Sequence, residues 1–360
     1  MHQIILRIDL LKSQAGQVKL EYRRLQKLRA RMRSQHIDSK RYDISRKTDF
    51  NVNIQEIVMA SYEGIFPAIA TPLNSDGSFN EQAFREVMEF NIQAGVGGFW
   101  VAGGNGESVL LDDEENMRIV SAAAEVNAGR INNIMHVGAP TTERSVRMAE
   151  HAASVGAEAI CCVPPFFYSQ TDEAIVEHYK AVAAAADLPF YVYNLPQSTG
   201  VEVTPDLMKK IQDNVPQLAG LKHSSVNFAN VREWERMGLK CFIGSSMLML
   251  PALTIGAVGC IDGPPCAAPE LWVDIWNKWQ SGDIEGAREA QAHASKFTDI
   301  MREVGVHSGT KAVLTERLGI DCGSGRLPNP PLEGSRREEM LKKVSSLGTV
   351  SYTHLRAHET

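Results

Sequence analysis

The sequence predicts an α/β fold, a (β/α)8 TIM barrel followed by additional C-terminal helices. Short apolar runs alternate eight times with longer helical patterns over about residues 63–282. Eight regular units without a longer break favour a closed barrel over a doubly wound open sheet. The 360-residue chain exceeds the roughly 250 residues of such a barrel by enough to hold further helices. Hydrophobic residues make up 44% and charged residues 22% of the chain, as is typical of a soluble globular protein.

The eight apolar runs are predicted to be the strands. Each run is too short for a typical helix, and several are rich in Val, Ile, Phe or Tyr. They cover residues 64–73, 97–103, 132–139, 157–165, 189–196, 218–225, 240–246 and 257–264. Because catalytic groups of such barrels lie where strands end and the following loops begin, the site is expected at the ends of these runs.

The helical patterns between the runs carry start signals. A polar N-cap followed by acidic residues suits the positive end of a helix dipole, and a proline suits the first turn. The predicted N-caps are Asn80, Asp112, Thr141, Thr171 and Thr204. Three more helical patterns come after the barrel, at residues 283–305, 309–319 and 332–347. The predicted domains are a catalytic barrel at residues 59–282 and helices packed on its flank at residues 283–348.

Residues 1–58 differ in charge from the rest of the chain. They contain 13 Lys and Arg against 6 Asp and Glu, or +7, which leaves 24 against 37, or −13, for residues 59–360. We expect a flexible or non-native basic extension; a translation start at Met59, or a basic arm for RNA or an anionic surface, are alternatives. Residues 349–360 continue no pattern, and we expect them to be artefactual. The acidic body predicts no nucleic-acid groove.

Membrane, metal and cofactor functions have little support in the sequence. No apolar run reaches the roughly 18 residues of a membrane span, and no signal peptide opens the chain, so we expect a cytoplasmic protein without a membrane partner. The six cysteines include no C-x-x-C pair, and the ten histidines show no metal-binding spacing. We therefore expect reduced core thiols, no metal and no cofactor.

Lys222, near the end of the sixth predicted strand, is the leading candidate for chemistry. An ammonium is costly to bury without a partner, so a lysine in an apolar strand tends to become a nucleophilic amine that forms imines with ketones. The alternative is a lysine whose stem packs on apolar surface while its ammonium reaches water. Because side chains alternate along a strand, Ser224 shares the face of Lys222, and His223 points toward the helices.

Two other strand ends carry candidate groups. Tyr193 ends the fifth strand, where its phenol can transfer a proton or, alternatively, be a satisfied core hydroxyl. The glycine-rich turn at residues 103–108 presents backbone N–H groups that can bind a carboxylate. This turn is no dinucleotide loop, because Val109 occupies the position of the third glycine, and it lacks the Gly-Lys-Ser/Thr of a P-loop.

Four motifs together resemble a known superfamily. Residues 64–73 (GIFPAIATPL), 103–107 (GGNGE), 193–196 (YNLP) and 220–222 (GLK) are similar to N-acetylneuraminate lyase and dihydrodipicolinate synthase, which are class I, Schiff-base aldolases. The resemblance spans about residues 63–331. It implies cofactor-free chemistry on pyruvate or a related 2-oxo acid, an aldehyde as second substrate, and a homo-oligomer, by analogy a tetramer.

The resemblance also implies roles for individual residues. Lys222 corresponds to the Schiff-base lysine and Tyr193 to the tyrosine that relays protons. Gly104 and Asn105 form the turn that binds the pyruvate carboxylate, and the backbone near Ile261 completes the pocket.

Several positions depart from the superfamily pattern. Gly104 and Asn105 replace two hydroxyl residues, and Phe167 replaces a relay tyrosine, so hydroxyls of the proton relay are missing. Ser198 replaces an arginine that clamps the second substrate of the synthase. Ser246 replaces the first acid of a pair that binds sugar hydroxyls in the lyase. These departures count against lysine-biosynthetic synthase activity, and sialic acid lyase activity is no better supported.

Asp262 is an unusual acid after the eighth strand, and it is either a substitute acid/base or a turn former. The predicted function is a cofactor-independent class I aldolase or lyase that makes or cleaves a carbon–carbon bond of a 4-hydroxy-2-oxo acid. Synthase-like or dehydratase chemistry through the same imine is one alternative. An inactive relative that binds a keto acid is another, and a scaffold that binds RNA or membranes through residues 1–58 is a third.

Overall fold

The computed structural model describes residues 62–348. The predictions for residues 1–58 and 349–360 lie outside the described residues. Within residues 62–348, eight parallel strands alternate with helices, and further helices come after the last strand. The predicted fold class, a (β/α)8 barrel with C-terminal helices, is confirmed.

The described strands form one ring. They are β1 (Gly64–Ile65), β2 (Gly98–Val101), β3 (Asn132–His136), β4 (Ala159–Cys162), β5 (Phe190–Asn194), β6 (Leu218–His223), β7 (Lys240–Ile243) and β8 (Gly259–Cys260). Neighbours in sequence pair from β2 to β8, and β8 pairs with β1. A bridge between Ala68 and Trp100 joins β1 to β2 and closes the ring. Because these strands are buried on both faces, most of their residues are apolar, and the polar exceptions are concentrated in β3 and at the end of β6.

Helices cover the outside of the ring. They are α1 (Glu81–Gln93), α2 (Asp113–Asn127), α3 (Thr142–Ser154), α4 (Asp172–Ala186), α5 (Pro196–Thr199), α6 (Pro205–Asn214), α7 (Asn230–Arg236), α8 (Met249–Thr254), α9 (Pro264–Ala267), α10 (Pro269–Ser281), α11 (Ile284–Val304), α12 (Val306–Leu318) and α13 (Gly334–Ser346). Every predicted N-cap accepts a hydrogen bond from the backbone N–H three residues later. None of the helices within residues 62–348 is long and apolar enough to cross a membrane.

The inside of the barrel changes from apolar to polar along its axis. Phe242 contacts Phe66 and Tyr191, with ring centroids 4.8 and 6.2 Å apart, and these rings fill the lower level. Tyr193 lies two residues after Tyr191 on β5, so it points to the same interior one level nearer the carboxyl ends. Polar side chains of neighbouring strands meet at that upper level.

Helix α12 reaches the carboxyl end of the barrel. His307, in its first turn, contacts the Gly104 carbonyl oxygen through Nε2 at 3.1 Å. The C-terminal helices therefore contact the loop after β2 as well as the flank of the barrel.

Candidate active site

Lys222 is buried inside the barrel against aromatic rings. It lies on β6, is 4% exposed, and is paired in register with Tyr193 of β5. Its Nζ lies 4.3 Å from the centroid of the Tyr193 ring and 5.2 Å from that of Trp100. Among the described residues Lys222 forms no ion pair. A side chain this buried does not carry its nitrogen to bulk water, so the surface-lysine alternative does not fit the structure.

The rings of Trp100 and Tyr193 pack against this nitrogen and against each other. They meet edge to face with centroids 5.3 Å apart. A Cβ added at Gly103 would lie 2.5 Å from Trp100 Nε1, so the indole requires a glycine above it. The Tyr193 hydroxyl lies 3.7 Å from the position that a Cβ on Gly104 would take. The structure therefore brings the Lys222 amine, the Tyr193 phenol and the glycine turn together.

The glycine turn is held by side chains and leaves backbone donors open. Asn105 donates through Nδ2 to the Ala68 carbonyl at 2.7 Å, and Thr71 donates to the Gly106 carbonyl at 2.8 Å. The Asn105 amide is thus directed toward β1. In the part of the chain that the structure describes, the N–H groups of Gly104 and Asn105 have no acceptor. Two adjacent free N–H groups are suited to a carboxylate.

Glu107 anchors this turn through a buried ion pair that the sequence analysis missed. Its Oε1 lies 2.6 Å from Lys311 Nζ of α12, and the two side chains are 1% and 0% exposed. Its Oε2 accepts from the Arg326 N–H at 2.7 Å and from Asn329 Nδ2 at 2.8 Å. Burial lowers the pKa of Lys311, and the Glu107 carboxylate opposes that shift. In sequence, Lys311 is an ordinary helical cation, so only its position after folding reveals this role.

Ser224 directly follows β6, the strand of Lys222, and Ile261 directly follows β8, the next strand but one. The Ser224 hydroxyl has no hydrogen-bond partner within residues 62–348 and lies over Gly244, where an added Cβ would come within 1.8 Å of it. The Ile261 N–H donates to the Ile243 carbonyl at 2.9 Å. The Ile261 N–H is therefore already used, and a ligand near Ile261 can contact only the carbonyl oxygen of its backbone.

Asp262 and Ser246 are joined by a hydrogen bond. The Asp262 carboxylate accepts from the Ser246 and Gly263 N–H groups, each at 2.8 Å, which favours the turn-forming alternative over an acid/base. The Ser246 hydroxyl is fully buried and contacts the Thr298 hydroxyl of α11 at 3.3 Å. The Ser246 hydroxyl thus contacts the C-terminal helices, and a role for Ser246 in binding a substrate stays a prediction.

Phe167 and Ser198 lie at the rim. Phe167 is 85% exposed in the loop after β4, with a left-handed φ of 82°. Ser198 is exposed on the short helix α5. The rings that contact the Lys222 nitrogen in the described chain belong to other residues. A role for Phe167 or Ser198 in binding a second substrate therefore stays a prediction.

His136 of β3 is a site residue that the sequence analysis missed. It is 6% exposed, and its ring lies edge to face with Tyr193, with centroids 6.2 Å apart. Its Nδ1 contacts the Ala102 carbonyl at 3.0 Å, whereas its Nε2 has no partner among the described residues. Burial, assisted by the charge of Lys222 and opposed by the Ala102 contact, lowers the pKa of His136 to about 4. A histidine at the end of a predicted interior strand was the available signal.

The described residues contain no group of three or more His, Cys, Asp or Glu side chains that could hold a metal ion. The six cysteines all fall in this part of the chain, where they are free and buried. Burial raises the pKa of the interior thiols Cys161 and Cys260 well above the usual value.

Comparison with known proteins finds relatives of the chain in both sequence and structure. Residues 61–347 match the model of the dihydrodipicolinate synthetase family. An uncharacterised DapA-like lyase of Halobacterium salinarum is 34% identical over 79% of this chain and 94% of its own length. N-acetylneuraminate lyase of Rhizobium meliloti is 31% identical over 74% of this chain and 89% of its own. The structure of a catalytic lysine mutant of Ruminococcus gnavus sialic acid aldolase superposes with a TM-score of 0.77 at 25% identity, covering 80% of this chain and 97% of that one.

Proposed function

The chain belongs to the dihydrodipicolinate synthetase family, and from this membership we propose that it is a class I aldolase whose Lys222 forms a Schiff base with pyruvate or a related 2-oxo acid. The reaction makes or cleaves the carbon–carbon bond of a 4-hydroxy-2-oxo acid, with an aldehyde as the other partner. The observation that carries the proposal is Lys222 itself, 4% exposed and without an ion-pair partner in the described part of the chain. A buried lysine without a carboxylate partner has no ion pair to break before its amine attacks a ketone.

In the cleavage direction, the Lys222 amine adds to the C2 ketone, and loss of water gives a protonated imine. The C3–C4 bond then breaks, and its electron pair moves toward C2 while the imine electrons neutralise the nitrogen. The 4-hydroxyl loses its proton, so C4 leaves as an aldehyde. Protonation of the enamine at C3 and addition of water release the 2-oxo acid and restore the amine. Tyr193 carries these protons, because its ring contacts the Lys222 nitrogen at 4.3 Å.

The 2-oxo acid carboxylate binds at the glycine turn. The open N–H groups of Gly104 and Asn105 lie beside the Tyr193 hydroxyl, and an anion there is within reach of an imine on Lys222. Ser224, directly after the strand of the lysine, supplies a buried hydroxyl. These contacts orient the substrate so that C3 faces the tyrosine.

Two alternatives share the same binding site. Synthase-like or dehydratase chemistry passes through the same imine and differs in the later steps at C3 and C4. An inactive relative binds the keto acid without turnover. Sialic acid cleavage is the less favoured reaction, because the Ser246 hydroxyl contacts Thr298 and is not available for a hydrogen bond to a sugar hydroxyl.

The protein is also proposed to assemble as a homo-oligomer, as the resemblance predicted. Phe167 and Tyr168 are 85% and 71% exposed, and their rings contact each other at 5.0 Å on the loop after β4. Exposed aromatic pairs are typical of surfaces that pack against another chain. Sedimentation velocity of the wild type and of Phe167→Ser/Tyr168→Ser measures the assembly directly, and a monomeric wild type excludes it.

Borohydride reduction with pyruvate tests the function. The intact mass should rise by one reduced pyruvate imine, and peptide mapping should place it on Lys222 and not on Lys311, which is also buried. Lys222→Ala should give no adduct, while Lys209→Ala, an exposed helix position, serves as the control. An adduct with turnover of a 4-hydroxy-2-oxo acid supports the aldolase, and an adduct without turnover of any 2-oxo acid in a broad panel supports the inactive relative. Absence of an adduct with every 2-oxo acid excludes the imine mechanism.

A further inference from the structure

Three histidines of the described chain are almost fully buried, and His136 differs from the other two. His178 uses Nδ1 for the Thr142 hydroxyl at 2.9 Å and Nε2 for the Cys162 thiol at 3.5 Å. His223 uses Nδ1 for the Trp234 indole at 3.3 Å and Nε2 for the Asn227 carbonyl at 3.1 Å. In His136 alone of these three, one ring nitrogen, Nε2, has no partner within residues 62–348.

The tautomer of His136 is set by its one hydrogen bond. Its Nδ1 faces the Ala102 carbonyl at 3.0 Å, so Nδ1 donates and carries the proton. Nε2 therefore carries a lone pair and is an acceptor. A buried acceptor without a donor costs on the order of 1–3 kcal/mol, and such groups call for a functional explanation.

The free nitrogen points toward the catalytic end of the barrel. A Cβ added to Gly138, two residues further along the strand direction, would lie 2.8 Å from His136 Nε2. The same ring stands perpendicular to the Tyr193 ring at 6.2 Å. His136 Nε2 thus lies in the upper level of the barrel, on the side where Tyr193 and Lys222 meet.

We infer that His136 is the proton-holding partner of Tyr193, taking the place of the relay hydroxyls that this chain lacks at Gly104 and Phe167. The inference rests on the proposed function, since it assigns a residue to the Schiff-base reaction at Lys222. His136 acts through the tyrosine, so it is a positioning and relay residue of the site.

In this scheme His136 holds one proton during the reaction and returns it at the end. When the imine becomes an enamine, the C3–H bond breaks, its electrons form the C2–C3 double bond, and the imine electrons neutralise the Lys222 nitrogen. The Tyr193 oxygen takes the C3 proton and passes its own to His136 Nε2 through one bridging water, because the two groups form no direct hydrogen bond, and the imidazole becomes an imidazolium. In the aldol direction, C3 then attacks the aldehyde carbon. The aldehyde oxygen takes the Tyr193 proton, and His136 returns its proton to the tyrosine.

This exchange keeps the charge of the barrel interior constant. Before the transfer the positive charge lies on the imine nitrogen of Lys222, and after it the charge lies on His136. Because the two cations never coexist, the repulsion from Lys222 that disfavours protonation of the resting His136 is relieved at the moment the proton arrives. A neutral imidazole with an open lone pair is the form that such a step requires.

Exchange of the pyruvate methyl protons with D2O, followed by NMR, measures this step without an aldehyde. His136→Gln should slow the exchange about 100-fold, because general acid–base catalysis typically contributes at least that much. It should still form the borohydride-reduced adduct on Lys222. His178→Gln, which removes a histidine of equal burial away from the site, should exchange at the wild-type rate. Imidazole added to His136→Ala should restore exchange, whereas an equal concentration of the non-basic pyrrole should not.

The outcomes separate this inference from the proposed function. Wild-type exchange in His136→Gln, with its adduct intact, overturns the role of His136 and leaves the aldolase standing. A wild-type protein that forms no adduct overturns both. If His136→Gln does not melt cooperatively, His136→Asn is measured in its place, and wild-type exchange in that variant equally overturns the inference.

Discussion

Two lysines within residues 62–348 are buried, and we expect their surroundings to give them opposite roles. Lys222 is 4% exposed and contacts the faces of Tyr193 and Trp100. Lys311 is 0% exposed and contacts the Glu107 carboxylate at 2.6 Å and the Ser324 carbonyl at 2.8 Å. Burial alone therefore does not identify a reactive lysine. A carboxylate partner keeps a lysine in a structural ion pair, whereas aromatic faces leave its nitrogen open to a substrate.

Removing Lys311 is expected to have the largest effect on stability. Lys311→Met leaves the Glu107 carboxylate buried without its cation, which typically costs about 3–5 kcal/mol in the free energy of unfolding. Urea denaturation of the wild type and the variant measures it. Glu107→Gln/Lys311→Met should recover part of the loss, because no buried charge remains unpaired. A loss below about 1 kcal/mol in the single variant contradicts the structural role of the pair.

Removing the Tyr193 hydroxyl should affect catalysis and spare imine formation. Tyr193→Phe keeps the ring that contacts Lys222 but cannot carry a proton, so turnover should fall about 100-fold, or about 2.7 kcal/mol in barrier height. The Lys222 adduct should still appear after borohydride reduction. Steady-state turnover of a 4-hydroxy-2-oxo acid and intact-mass measurement separate the two effects. Full activity in this variant removes the tyrosine from the mechanism.

Acid should destabilise the protein through its buried histidines. Burial lowers the pKa of His136 and of His178 from 6.5 to about 4 in the folded chain. Between these values the unfolded state binds more protons, so the free energy of unfolding decreases as the pH falls through that window. At pH 5 the loss is about 2 kcal/mol for each histidine.

Urea denaturation at pH 7.5 and pH 5 checks this dependence. His136→Gln and His178→Gln should each show a smaller loss between the two pH values than the wild type. Lys222→Met should reduce the contribution of His136 to this loss and leave that of His178 unchanged. The reason is that the substitution removes a charge that lowers the pKa of His136. If His136→Gln loses as much free energy of unfolding between the two pH values as the wild type, then His136 is not buried in its neutral form in the wild type.

The smallest effect on stability is expected at Lys222, in contrast to Lys311. Lys222→Met replaces an amine without an ion-pair partner in the described chain by an apolar side chain of similar length. The free energy of unfolding should stay within about 1 kcal/mol of the wild type or rise, while the borohydride adduct disappears. Thermal and urea unfolding at pH 7.5 measure it. A loss as large as that of Lys311→Met would show that the two lysines are both structural.

Local patterns in the sequence determined the order of the strands and helices, the N-caps, and the placement of Lys222 and Tyr193 on adjacent strand ends. These features arise from periodicity, alternation and capping, which act over a few residues. Contacts between distant segments decided the rest: the pairing of Glu107 with Lys311, the outward direction of the Ser246 hydroxyl, and the open nitrogen of His136 beside Tyr193. A hydrogen-bond partner far along the chain leaves no local pattern, so only the closed barrel shows which buried polar groups are paired and which are open to a substrate.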